Sequence, residues 1–137
     1  MAVTTFDFLI CLKIETEEDI DFITDVLNLK PTDSIPKGER KSKVLAPAES
    51  NIWIYDAQYR DCTHTEGKMS EFLEGIPLLF SKIEELKKIG IVTIRISLVS
   101  QFAQIGANLS EKDLLLLSRL QIPLEISVFS WGGCIDE

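Results

Sequence analysis

Apolar and polar residues alternate in the first segment with a readable period. In "TFDFLICLKI", Phe6, Phe8, Ile10, Leu12 and Ile14 fall on one face, and Asp7, Leu9, Cys11 and Lys13 fall on the other. A period of two predicts a strand with one wholly apolar face and one mixed face. The period then changes. Ile20, Ile23, Val26 and Leu27 form a helical stripe, preceded by Glu17, Glu18 and Asp19. Acids in a first turn are favoured by the helix dipole. Thr16 and Asp19 have capping-box spacing, and Pro31 sets the helix exit because residues before proline avoid the helical region.

Two short strand-like runs follow, at residues 41–46 ("KSKVLA") and 51–57 ("NIWIYDA"), with turn residues between them. They predict a hairpin, with Ile52 and Ile54 facing one way and Trp53 and Tyr55 the other. Residues 58–68 are polar and loop-like. Helical spacing returns at Phe72, Leu73, Ile76, Leu79, Phe80, Ile83 and Leu86, interrupted by Gly75 and Pro77. A proline inside a helix loses a hydrogen bond and clashes with the preceding turn. Either the helix kinks there, or Pro77 starts a second helix after a short first one. Gly90, just after Lys87 and Lys88, is placed as the helix stop. Residues 91–99, "IVTIRISLV", form the clearest strand, with Val92, Ile94, Ile96 and Leu98 inward and Thr93, Arg95 and Ser97 outward. Ser110 and Asp113 repeat the capping-box spacing, and Leu109 and Leu114 are placed for a hydrophobic staple. In the last strand Leu124, Ile126 and Val128 oppose Glu125, Ser127 and Phe129.

The first six elements have the β-α-β-β-α-β order of a ferredoxin-like split βαβ core, and a C-terminal α-β unit is added. The expected class is α+β, with a mostly antiparallel sheet and helices on one face. The other face is then open or packed against another chain. With 137 residues, the chain fits a single domain over residues 1–137. Internal repeats are absent.

Composition narrows the partners. The formal charge is −8, which repels nucleic acid and anionic lipid and suits a basic protein partner. Residues 1–40 carry nine acids and four bases, so the negative charge is weighted to the first quarter of the chain. The apolar runs are too short for a membrane helix, and "MAVTTFDFLICLKIE" lacks the basic start and cleavage site of a signal peptide. Cysteines at 11, 62 and 134 are odd in number, and no CxxC occurs. This pattern fits free thiols in a reducing, cytoplasmic compartment. Cys11 reads as a small buried hydrophobe, and Cys134 as the more exposed thiol.

Candidate chemistry is sparse. His64, the sole histidine, sits near Asp61, Cys62 and Glu66, but the spacing is not that of a structural zinc site. HExxH, GxGxxG and Walker A patterns are missing. No catalytic, cofactor-binding or metal-ligating residue is assigned. The candidate interaction surface is Trp53, Tyr55, Arg95, Glu125 and Phe129 on one sheet face, since aromatics and arginine are enriched at interfaces. Lys37 and Arg40, in the connection "LKPTDSIPKGER", are added as basic contacts in an acidic region. Three readings stay open: a protein-interaction domain, a small-ligand sensor or enzyme using the polar sheet face, and a homodimerisation domain.

The segments "EEDIDFITDVLNLKPTDSIPKGER", "NIWIYD" and "NLSEKDLLLLSRLQIPLEISVF" resemble a bacterial family, domain-of-unknown-function family 4279. The matching positions are Leu29, Pro31, Thr32, Lys37, Gly38, Glu39, Trp53, Leu109 and Ser110, in family order, across residues 6–130. Leu29 stands one residue closer to the proline than is usual, and the Gly75–Pro77 interruption is less typical. The resemblance brings no catalytic residues with it. Some relatives look like immunity proteins encoded beside secreted toxins, which implies acidic side chains that neutralise a basic toxin.

Overall fold

The computed structural model describes residues 5–102 and 106–133. The elements are β1 (Phe6–Thr16), α1 (Ile20–Leu27), β2 (Asp33–Ile35), β3 (Asn51–Cys62), α2 (Lys68–Glu74), α3 (Leu79–Ile89), β4 (Gly90–Phe102), α4 (Glu111–Leu120) and β5 (Leu124–Gly133). One sheet runs in the order β2-β3-β1-β4-β5. β1 is antiparallel to both β3 and β4, and β2 is antiparallel to β3. These four strands make the ferredoxin-like core. β5 joins the β4 edge in parallel, which requires a crossover, and α4 supplies it.

The core forms where the apolar face of β1 meets the helices. Phe8, Ile10, Leu12 and Ile14 are fully buried. Their neighbours on β3 are Tyr59, Ala57, Tyr55 and Trp53, and on β4 they are Leu98, Ile96, Ile94 and Val92. Side chains paired across strands point to the same side, so all twelve share one face. Ile23 and Leu27 of α1, Phe72 and Leu73 of α2, Leu79, Ile83 and Leu86 of α3, and Leu116 and Leu120 of α4 close over them. The helices therefore lie on one face of the sheet.

Several local expectations change. The hairpin begins at Asp33–Ile35, not at residues 41–46. The Thr32 amide donates to the Ile54 carbonyl at 2.8 Å, and its hydroxyl bonds the Asp56 carboxylate, which pins this register. The run at 41–46 finds no strand partner, and Val44 within it is exposed. Thr16 ends β1 instead of capping α1: its hydroxyl donates to the Ile89 carbonyl and accepts from the Glu18 amide. Asp19 is the N-cap, without a side-chain cap bond. Asn28, in the left-handed conformation, closes α1 three residues before Pro31. Of the two alternatives at Gly75–Pro77, two helices are present, and left-handed Leu78 rather than Pro77 stands at the second N-terminus.

Gly90 does not stop α3 through a left-handed turn, because its backbone is extended (φ −174°). It is needed for space. A Cβ at this position would lie 2.3 Å from the Glu15 carbonyl oxygen on the neighbouring strand. The backbones of β1 and β4 cannot separate there without breaking their ladder. Gly90→Ala is therefore expected to destabilise the fold by about 1–3 kcal/mol, read as a lower urea midpoint with unchanged slope.

Candidate functional site

Because the even positions of β1 are packed under the helices, its odd positions face the open side of the sheet. Strand register then places Asp56, Cys11, Arg95 and Glu125 in one row across β3, β1, β4 and β5. Arg95 Nη2 lies 3.3 Å from Glu125 Oε2, and Lys13 lies 3.3 Å from Glu15. These pairs are solvent-accessible and worth little stability, under about 1 kcal/mol each. Asp7 accepts from the Arg60 guanidinium at 2.8 Å and from the Asp61 amide at 3.1 Å. The Arg60 bond, followed by the amide, holds the Asp7 carboxyl below its ordinary value.

Cys11 belongs to this face and is half-buried, not a core residue. Burial, and then the nearby Asp56 carboxylate, push its thiol up. A thiol that stays protonated at neutral pH is a poor nucleophile. Cys62 is buried, with its sulfur 3.3 Å from the Tyr59 carbonyl. Cys134 lies outside the described residues.

The proposed aromatic set divides between the two faces. Arg95, Glu125 and Phe129 share the open face, with Phe129 paired to Val99. Trp53 and Tyr55 do not. They pair with Ile14 and Leu12 and point into the core. Trp53 is fully buried, and its Nε1 donates to Thr24 Oγ1 at 3.1 Å. Tyr55 stacks between Trp53 and Phe72. Ile52 and Ile54 take the open side instead, beside Ile35 and Asp33 of β2. Both sides of this part of β3 are apolar, so alternation separates them without showing which one is inward.

The two basic candidates also sit apart from Arg95. Lys37 Nζ lies 2.8 Å from Glu17 Oε1, and its amide donates to Asn51 Oδ1 at 2.8 Å. The Asn51 side-chain amide donates to the Glu18 carbonyl at 2.9 Å. Lys37 thus ties the β2–β3 connection to the β1–α1 junction, while Arg40 is exposed in that connection. At the same junction Glu18, Asp19, Asp21 and Asp25 are exposed and form no ion pair among the described residues.

Three surface cavities lie elsewhere. One of about 460 Å3 is lined by residues including Tyr59, Arg60, Asp61, His64 and Lys68. One of about 350 Å3 sits at Thr5, Asp7, Asp61 and Ser100, and one of about 490 Å3 lies among α2, α3 and α4 at Leu73, Leu78, Phe80 and Arg119. None of these three linings contains Trp53, Arg95 or Glu125. Among the described residues no group of three or more His, Cys, Asp or Glu side chains is placed to hold a metal ion. No helix among them is long and apolar enough to cross a membrane.

One buried polar centre was only half legible from spacing. Ser110 and Asp113 form the expected capping box on α4. The Asp113 carboxylate also accepts from the Gly67 and Ser70 amides and from the Ser70 hydroxyl, so it caps α2 as well. This cluster holds two helices together, with donors from both helix starts directed at one structural carboxylate.

Comparison with curated proteins finds no match, and comparison with solved structures finds none either. A family model matches most of the chain, from the start of β1 into β5. Over residues 6–131 the chain belongs to the family described as Domain of unknown function (DUF4279).

Proposed function

We propose that this chain is a non-enzymatic protein-binding domain, acting in the cytoplasm as an immunity protein that neutralises a basic bacterial toxin. The observation that carries this reading is the unpaired acidic surface at α1. Glu18, Asp19, Asp21 and Asp25 all project into solvent without a neutralising base among the described residues, on a chain of net charge −8. Such a surface speeds capture of a cationic protein and is sensitive to salt. The candidate contacts on the open face, Arg95, Glu125 and Phe129, supply a second, mixed surface for specificity. A small-ligand sensor or enzyme on the polar sheet face calls for a concave pocket with converging polar groups, and the three cavities described above are not lined by Arg95 or Glu125.

The test is association with the basic product of the gene's immediate neighbour. The double variant Asp21→Lys, Asp25→Lys is expected to slow association about 10-fold or more at low salt, with a smaller effect at high salt. Both positions are exposed, and although a lysine in place of Asp21 opposes the helix dipole in the first turn of α1, the cost of about 1 kcal/mol should leave the chain folded, as thermal unfolding will show. An unchanged association rate, or no binding of the neighbour's product by the parent chain, would sink the proposal.

A further inference from the structure

The two edges of the sheet are built differently. At one edge β2 is three residues long, lies between Pro31 and Pro36, and has Asp33 ion-paired to Lys41. Short length, prolines and charge are the usual protections of an edge against pairing with another chain. β5, at the other edge, is less protected, although its ladder to β4 shifts register beyond Ser100. It runs ten residues, Leu124–Gly133, without proline or lysine. Its one charge, Glu125, is held by Arg95 on the open face.

The outer side of β5 is apolar at Leu124, Ile126 and Val128. The Ile94 amide donates to the Pro123 carbonyl, and the parallel register continues from there. Bonding residues on such a strand alternate, so Glu125 and Ser127 aim their backbone groups at β4, whereas Leu124, Ile126 and Val128 aim theirs outward. Ile126 and Val128 are 60% and 56% exposed, while their β4 partners Ile96 and Leu98 are 2% and 4% exposed. Among the described residues, the backbone groups of Ile126 and Val128 on this edge therefore have no strand partner, and their aliphatic side chains are uncovered on the core side of the sheet.

We propose that β5 pairs antiparallel with β5 of a second copy, joining two sheets across a two-fold axis. The strand is self-complementary. Residues with outward backbone groups pair with one another, so in the register centred on Ser127 each Ile126 meets Val128 of the second copy. Glu125 then lies opposite Phe129, and the two carboxylates are kept apart. A two-fold contact of this kind uses the same patch on both chains and closes without leaving a free β5 edge. It uses different residues from the acidic surface at α1 and does not depend on the toxin reading.

Sedimentation velocity of the full chain over a range of concentrations is expected to show a species of twice the 15.5 kDa chain mass. Val128→Lys should weaken dimerisation about 30-fold or more, as expected for a charge placed at the centre of an interface. Ile91→Lys, on the open face, should leave the dimer intact. In the unsubstituted chain, hydrogen exchange at the Ile126 and Val128 amides should slow as concentration rises, a readout that holds even if Val128→Lys fails to fold. A chain monomeric at all concentrations overturns the proposal. So does a dimer that survives Val128→Lys but dissociates with Ile91→Lys, and so does exchange at those amides that is independent of concentration.

Discussion

Asp113→Ala is expected to lower the stability of this protein by about 4 kcal/mol, since each buried donor left without an acceptor costs on the order of 1–3 kcal/mol and water recovers part of the loss. The Asp113 side chain has no solvent exposure. Its carboxylate accepts from Ser110 N at 2.8 Å, Ser70 N at 2.9 Å and Gly67 N at 3.0 Å, and from the Ser70 hydroxyl. These donors belong to two helix starts that are far apart in the chain, so the substitution uncaps both α2 and α4. A domain of ordinary stability has about 5–15 kcal/mol in total, and the melting temperature should fall by roughly 10–20 °C. Asp113→Asn keeps the shape but turns an NH2 group toward donors, and should cost about 2–3 kcal/mol.

The same residue sets a pH dependence. Burial pushes the Asp113 carboxyl up, but the Ser70 hydroxyl bond and the amide bonds from Ser110, Gly67 and Ser70 outweigh it, and the group lies below the ordinary value of 3.8. A carboxyl whose folded value is depressed stabilises the fold fully above its unfolded value. That contribution is lost as pH falls through the folded value. Stability measured by urea unfolding should therefore decline as pH drops below about 4, and more steeply in the parent chain than in Asp113→Asn. A residual slope is expected in the variant because Asp7 is also held low by Arg60 and Asp61. Equal slopes in the two chains would show that Asp113 is not the group responsible.

Trp53→Ala should be the other severe substitution, costing about 3–5 kcal/mol, as for other large aromatic residues removed from a core. Trp53 sits at the meeting of β3, β1 and α1, with Ile14 beside it and its indole N–H on Thr24 Oγ1. Removing the ring leaves a cavity under α1 and strips Tyr55 of one stacking neighbour. Trp53→Phe fills most of that space and should cost about 1–2 kcal/mol. A surface role for Trp53 makes the opposite prediction, in which partner binding is lost while unfolding curves overlay. Paired denaturation and binding measurements on Trp53→Ala and Trp53→Phe separate the two.

Much of the fold is legible in local pattern. The period-two run at Phe8–Ile14 and the strand at Val92–Leu98 bury their apolar faces, because one side of each is wholly apolar, although Thr93 on the other side of its strand is buried as well. The stripe Ile20, Ile23, Val26 and Leu27 and the Ser110–Asp113 capping box are equally local. Element order was enough to give the ferredoxin-like arrangement, since few topologies accommodate it. β2 escapes such reading because three residues carry almost no periodic signal, and its pairing is held by Thr32, Ile54 and Asp56 from two distant segments. The candidate surface was less legible than the core. Arg95, Glu125 and Phe129 share the open face, whereas Trp53 and Tyr55 turn into the core, a choice that alternation in an apolar strand does not reveal.

Local pattern thus suffices for the kind and order of the elements, and for the inward face of each strand whose two sides differ in polarity. The tertiary structure alone decided the inward face of β3, the edge that receives β5 and the second helix capped by Asp113. Each of these depends on which strand or helix lies alongside. Side-chain period reports how residues divide between two faces, whereas burial is set by register against a neighbour distant in the chain.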